Sequence, residues 1–383
     1  MTEPQGIAFP TNKSVDTEVV SSSRVYVTGG ANSFRTLVLP TILSQDGPLR
    51  STILSLSSAE RTRDSYDKVT LRYKHKALTD MQQTLSDPVH AGENLMACVL
   101  QASLEISSGS RPAWLRHLRG SIAIINAFAS FIDDDAVKFA LSYFYLRYNL
   151  LRTTLEPSSA TGSQNEDTRH LEALAQETFN GSMHEMTGTI VDKHLGCSIE
   201  LLVIISQISE LSVELRAGAT KRAVRERATF FDQRLQLANL TCVDSDQEYL
   251  LTSAETFKLA ARIYLRLVCW KSSIWDEDII QLEAELLSAL SCVLGETQPR
   301  RSFPMWPLFL AGCVSSNETH RKAVADMFRI IDGKWPVSNI STVWRALRTI
   351  WQSRDFNMET GNSAEHQDWQ QVIEKFRWRL ALT

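Results

Sequence analysis

The sequence has no two cysteines close enough to act as a pair. Its six, Cys98, Cys197, Cys242, Cys269, Cys292 and Cys313, are scattered singly among apolar neighbours. With no C-x-x-C spacing, neither a zinc site nor a thiol–disulfide motif is legible. They read instead as reduced thiols filling apolar space. The eight histidines are dispersed too, and no H-E-x-x-H or other ligand spacing joins them. Glycine-rich phosphate loops are missing: "TGGANS" has neither the spacing nor the lysine of a P-loop. No G-x-S-x-G nucleophile elbow occurs. The start, "MTEPQGIAFPTNKS", carries neither the basic segment nor the apolar run of a secretory signal. The longest apolar stretches, "IELLVIISQI" and "SIAIINAFASFI", are too short and too interrupted for a membrane span. A net charge of -4 over 383 residues gives no global basic field for nucleic acid. Together these absences lead us to expect a soluble intracellular protein without a membrane span.

What the sequence does have is helical period. At 43% hydrophobic and 22% charged residues its composition is that of an ordinary globular protein. "ENLMACVLQASLEI", "AVKFALSYFYLRYNLL", "IELLVIISQISELSVEL", "AETFKLAARIYLRLVCW", "DIIQLEAELLSALSCVL", "HRKAVADMFRIID" and "VSNISTVWRALRTIWQ" place apolar residues at steps of three and four. Strand-like alternation is scarce, and "RVYVTG" is too short to found a sheet. The expectation is an all-α fold: a flexible segment over residues 1–30, then one large helical domain over 31–383. The low-complexity stretch "EPSSATGSQNEDT" marks a polar loop at 156–168. A second break, "VDSDQ", precedes a helix near Tyr249.

Three clusters carry chemistry. Asp133, Asp134 and Asp135 in "FIDDDAVKFA" are oxygen donors of the type that Mg2+ and a diphosphate require. An aspartate there also serves as a helix cap, and the D-D-x-x-D spacing that puts carboxylates one turn apart is missing. In "AETFKLAARIYLRL", Glu255, Lys258, Arg262 and Arg266 recur at helical steps and share one side. Such a stripe suits a bound phosphate, or else a solvated face with an internal Glu–Lys pair. "ALSYFYLRYNLLRTT" interleaves Tyr143, Phe144, Tyr145 and Tyr148 with Arg147 and Arg152. It reads either as an aromatic pocket wall or as core. In "RPAWLRHLRGSIAII", Trp114 and Leu118 point to the core, while Arg116, His117 and Arg119 are polar at its entry.

Six stretches, taken in order, resemble the fungal-specific transcription factor regulatory domain. They are "NSFRTLVLPTILSQDGPLRSTILSLSSAE", "YKHKALTDMQQTLSDP", "NLMACVLQASLEISSGSRPAWLRHLRGSIAII", "HLGCSIELLVIISQISEL", "AETFKLAARIYL" and "WPLFLAGCVSSNETHR". They run from residue 32 to about 330. In that family the W-x-x-H-L-x-G stretch is a packing signature. The six closely spaced cysteines of a binuclear zinc cluster are not in this sequence, so no direct nucleic-acid binding is expected.

Within this family the chain also resembles the atypical humulene synthases of fungal tropolone sesquiterpenoid pathways. These cyclases lack D-D-x-x-D and bind farnesyl diphosphate through magnesium and a helix lysine. That resemblance implies a Mg2+-dependent class I sesquiterpene cyclase acting on an isoprenyl diphosphate. Lys258 and Arg262 would grip the diphosphate, with Lys271 in reserve for Lys258. Ala254, Tyr145 and Tyr148 would shape the substrate pocket. Asp133 and Asp134 would hold the metal, with Glu105 and Glu200 as rivals. The alternative is a transcriptional co-regulator without a DNA reader of its own, acting through a ligand or as a homodimer. The enzyme is expected in the cytoplasm and the regulator in the nucleus.

Overall fold

In a computed structural model, the residues described are 40, 42, 46–62, 64–107, 113–128, 135–154, 189–192, 195–242, 247–295, 303–334, 339–359, 368–376, 378 and 380–382. The N-terminal segment 1–30 and the polar loop 156–168 lie outside them. The architecture is all-α. Helices α1 (Pro48–Thr62), α2 (Lys68–Thr84), α3 (Ala91–Ser107), α4 (Ala113–Ala127) and α5 (Asp135–Arg152) form the first half. Then come α6 (Ile199–Arg216), α7 (Lys221–Leu237), α8 (Gln247–Leu265), α9 (Glu277–Gly295), α10 (Met305–Val314), α11 (Glu318–Lys334), α12 (Ile340–Glu359) and α13 (Asp368–Lys375). Five of the seven quoted periodic segments lie within one of these helices; "AETFKLAARIYLRLVCW" runs on from α8 into the turn Arg266–Trp270, and "VSNISTVWRALRTIWQ" enters α12 at Ile340. One small addition was not legible: Thr189–Ile190 pairs in parallel with Leu240–Thr241, too briefly to show alternation.

Local chemistry sets several helix starts. The Asp67 carboxylate accepts from the Val69 and Thr70 amides before α2, and the Ser198 hydroxyl accepts from the Leu201 amide before α6. Each side chain satisfies donors that the first turn leaves without a helical partner. Helix α10 is different. All ten of its residues are buried, which is why its sequence shows no polar face. Gly312 lets it approach α12 closely: a Cβ there would lie 2.8 Å from Leu347 Cδ1. Trp351 uses that approach to donate its indole N–H to the Gly312 carbonyl at 2.8 Å.

The buried apolar residues form two clusters. The smaller takes residues from α1 to α5, including Trp114, Leu118 and Phe144. The larger runs from α5 through α13 and includes Trp306, Phe309 and Trp369. Helix α5 belongs to both, giving Tyr145, Leu146 and Leu150 to one and Phe139, Leu141 and Leu151 to the other. Polar contacts tie its C-terminal end to the second half. Arg152 donates to the Ser206 hydroxyl at 2.7 Å, the Trp306 indole to the Thr153 hydroxyl at 2.9 Å, and Gln370 to the Thr153 carbonyl at 3.2 Å.

Candidate functional site

The cationic stripe of α8 is built by helical spacing, and the structure shows where each member goes. Asp232, on the neighbouring α7, receives the two arginines. Arg266 approaches it at 2.9 Å and Arg262 at 3.3 Å, while Gln236 donates to its second oxygen at 2.6 Å. One carboxylate thus lies between two guanidiniums, leaving one positive charge in excess. Arg266 also stacks over the Trp270 ring at 5.1 Å, inside the single π-helical turn Arg266–Trp270 that follows α8. Lys271 closes that turn in the left-handed conformation, its amide donating to the Arg266 carbonyl.

Lys258 lies on the same side but further out. Its ammonium meets Glu255 at 2.7 Å, the internal pair that the sequence offered as one of two readings. Both residues line an open pocket of about 380 Å³ together with Ala238, Asn239, Leu240, Leu251 and Thr252. Arg262 uses only its Nε for Asp232, and its terminal nitrogens have no partner among the described residues.

The remaining sequence candidates do not converge on this pocket. Ala254 is fully buried in the larger cluster, as is Tyr145. Tyr148 packs against the smaller cluster and stacks on Phe144 with ring centroids 5.7 Å apart. None of the three lines the Lys258 pocket. Asp133 and Asp134 fall outside the described residues. The rival carboxylates are engaged by cations: Glu200 with Arg234 at 2.5 Å, and Glu105 with Lys74 and, at 3.9 Å, with His117. His117 and the Lys74 ammonium hold the Glu105 carboxyl down to about 2, against the opposing effect of burial. Among the described residues no three His, Cys, Asp or Glu side chains converge as metal ligands do. Glu105 and Glu200 are each committed to cations of the chain itself.

Sequence reasoning missed two polar centres. Asp232 stands beside Phe231 and Leu235 on the buried face of α7; a carboxylate between core positions was the available signal. The second joins four elements. Glu283, on α9, is fully buried and accepts from the Ser315 hydroxyl at 2.6 Å. His320 Nδ1 lies 2.9 Å from its other oxygen. Arg354 of α12 donates to the Cys313 carbonyl at 2.8 Å beside them. Serine, histidine and glutamate meet here, but both Ser315 and His320 address the carboxylate. Ser315 Oγ is within hydrogen-bond reach of Glu283 and, at 2.9 Å, of the Ala311 carbonyl, and no bond joins it to His320 among the described residues, so the arrangement does not activate a nucleophile.

The model of the fungal-specific transcription factor domain matches residues 17–383. The chain belongs to that family. No curated protein and no solved structure matches it. The family match extends beyond both ends of the stretches that carried the resemblance. In the structure the W-x-x-H-L-x-G stretch buries Trp114 and places His117 3.9 Å from Glu105. Arg116 and Arg119 remain exposed.

Proposed function

We propose that the chain is a transcriptional regulatory domain that acts by binding other molecules and works in the nucleus. Membership of the fungal-specific transcription factor domain family supports this reading. The observation that carries it is the inward turn of the α8 stripe. Arg266 and Asp232 form a buried pair that ties α8 to α7, so that charge serves packing. The test fuses the full chain to a heterologous DNA-binding domain upstream of a reporter. A reproducible gain or loss of reporter signal is expected, and a signal equal to that of the DNA-binding domain alone would count against it.

A second reading, a sesquiterpene cyclase acting on farnesyl diphosphate, is favoured by one observation. Lys258 edges an open pocket, and the terminal nitrogens of Arg262, without a partner among the described residues, follow one turn later on the same side. Two cations so placed suit a diphosphate, whose departure they would assist by stabilising developing negative charge. Incubation with farnesyl diphosphate and Mg2+, with and without EDTA, followed by gas chromatography–mass spectrometry, separates the two. A metal-dependent hydrocarbon lost in Lys258→Ala would install the cyclase. Its absence leaves the regulator.

A further inference from the structure

Helices α11 and α12 run antiparallel. Phe328 meets Trp344 with ring centroids 5.3 Å apart, while Arg321, earlier on α11, meets Trp351 and Asp355, later on α12. An open cleft of about 310 Å³ lies between the two helices. Helix α11 lines it with Glu318, Arg321, Lys322 and Ala325. Helix α12 lines it with Arg348, Trp351, Gln352 and Asp355. In each set the later residues follow the first by three, four and seven positions, so each set is one face of its helix.

The two ends of this cleft differ. Arg321 is fully engaged: it donates to both Asp355 oxygens at 2.8 Å and to the Ser315 carbonyl at 3.3 Å, and it lies 5.5 Å from the centre of the Trp351 ring. Glu318, one turn before Lys322, is at this Asp355 end. The antiparallel course sets Lys322 opposite Gln352, and Ala325 opposite Arg348. The side chains of Lys322, Arg348 and Gln352 are exposed and have no hydrogen-bond or ion-pair partner among the described residues. Two uncommitted cations and an amide therefore share the end where Ala325, the smallest lining residue, leaves room between the helices. The carboxylates are at the other end, and Arg321 already neutralises one of them.

We propose that the Lys322–Arg348 end of this cleft binds the phosphate group of a small phosphate monoester. Lys322 offers donors from one helix, and Arg348 and Gln352 offer them from the other. A monoester has three terminal oxygens and a charge of about -1.5 to -2 at neutral pH, enough to engage all three side chains. A carboxylate, with two oxygens and one charge, leaves one of them unused. The volume is at the lower end for ligand sites, so the organic body is small. A nucleic-acid backbone fits less well, because its further phosphates would meet the Glu318 carboxylate. The cleft is separate from the Lys258 pocket, and the proposal stands independently of either reading of that pocket.

The probe is phenyl phosphate, titrated calorimetrically into the full chain at low and at high salt. Saturable binding is expected, weakened by salt. Lys322→Gln and Arg348→Gln should each weaken it about tenfold, as loss of one charge-assisted hydrogen bond does. Glu318→Gln should strengthen it, because it removes a carboxylate from the same cleft; a purely structural role for these residues would not give this change of sign. Phenol, which has no phosphate, should not bind. Thermal midpoints check that the variants, all at exposed positions, stay folded. Absent saturation, or binding unchanged in both cation variants, overturns the proposal. So does binding that survives those variants and disappears in Lys258→Ala, which would place the phosphate in the other pocket. Benzoate bound as tightly as phenyl phosphate would assign the cleft to carboxylates and overturn it. A DNA duplex that displaces phenyl phosphate and itself binds more weakly to Arg348→Gln would assign it to nucleic acid and overturn it equally.

Discussion

Arg266 and Asp232 face each other across the α7–α8 contact with a 2.9 Å hydrogen bond, and both side chains are more than nine-tenths buried. Removing one partner strands the other's charge away from water. Asp232→Ala is expected to cost about 3–5 kcal/mol, because it leaves Arg266 uncompensated. Urea denaturation measures it. A loss below about 1 kcal/mol would mean that water already reaches the pair.

Lys258 and Glu255 are the contrasting case, a pair at the edge of an open pocket. Their contribution is expected to lie between about 0 and 1 kcal/mol. Lys258→Ala should therefore leave the thermal midpoint almost unchanged. Any loss of ligand binding or product formation in that variant then reports on the pocket and not on folding.

Gly312 and Leu347 share too little space for another methyl group. Gly312→Ala gains roughly 1 kcal/mol of helix propensity but overpacks a filled core, which costs about 1–3 kcal/mol. A net loss of about 1 kcal/mol is expected from denaturant midpoints. In a Leu347→Ala background the clash is relieved, and the same substitution should turn stabilising. Additivity of the two changes would refute the contact.

Glu105 makes stability depend on pH in the acid range. His117 and Lys74 keep its carboxyl near 2 in the folded state, below the ordinary 4.5. The unfolded chain therefore takes up the proton first on acidification. Its contribution is fully present above about pH 5 and is lost as pH falls toward 2, amounting to on the order of 3 kcal/mol. Glu105→Gln should cost most near neutrality and little near pH 2, in urea titrations at a series of pH values.

Glu283 has the opposite sign. Burial raises its carboxyl above 4.5, against the hydrogen bonds from Ser315 and His320. The folded state therefore holds its proton longer than the unfolded chain. The carboxyl's stabilising contribution is present below about 4.5 and declines as pH rises through the raised value. Glu283→Gln should thus compare better with the parent at pH 7 than at pH 4. An equal difference at both values would show that His320 compensates the carboxylate completely.

The helices were legible where one side of a periodic segment had to be apolar, as in "IELLVIISQISELSVEL". Periodicity also grouped Glu255, Lys258, Arg262 and Arg266 correctly on one side of α8. It did not reveal Asp232, because the partner that turns two arginines inward comes from another helix. Helix α10 escaped for the reverse reason: buried all round, it has no polar side to set a period. Tyr145 and Tyr148 looked like one aromatic wall, yet α5 lies between two clusters and gives each residue to a different one. What sequence spacing cannot express is which neighbour each side of a helix meets.

Residues 380–382 alternate between the clusters: Leu380 and Leu382 enter the larger, and Ala381 enters the smaller, where Asn339 also donates to its carbonyl. During synthesis these residues leave the ribosome after every helix described. Until they emerge, both apolar clusters lack a piece that bridges them. The growing chain must then carry nearly complete but unsealed cores, whose closure waits on three residues. A nascent chain stalled before them should be more open to protease than one lengthened until they have emerged.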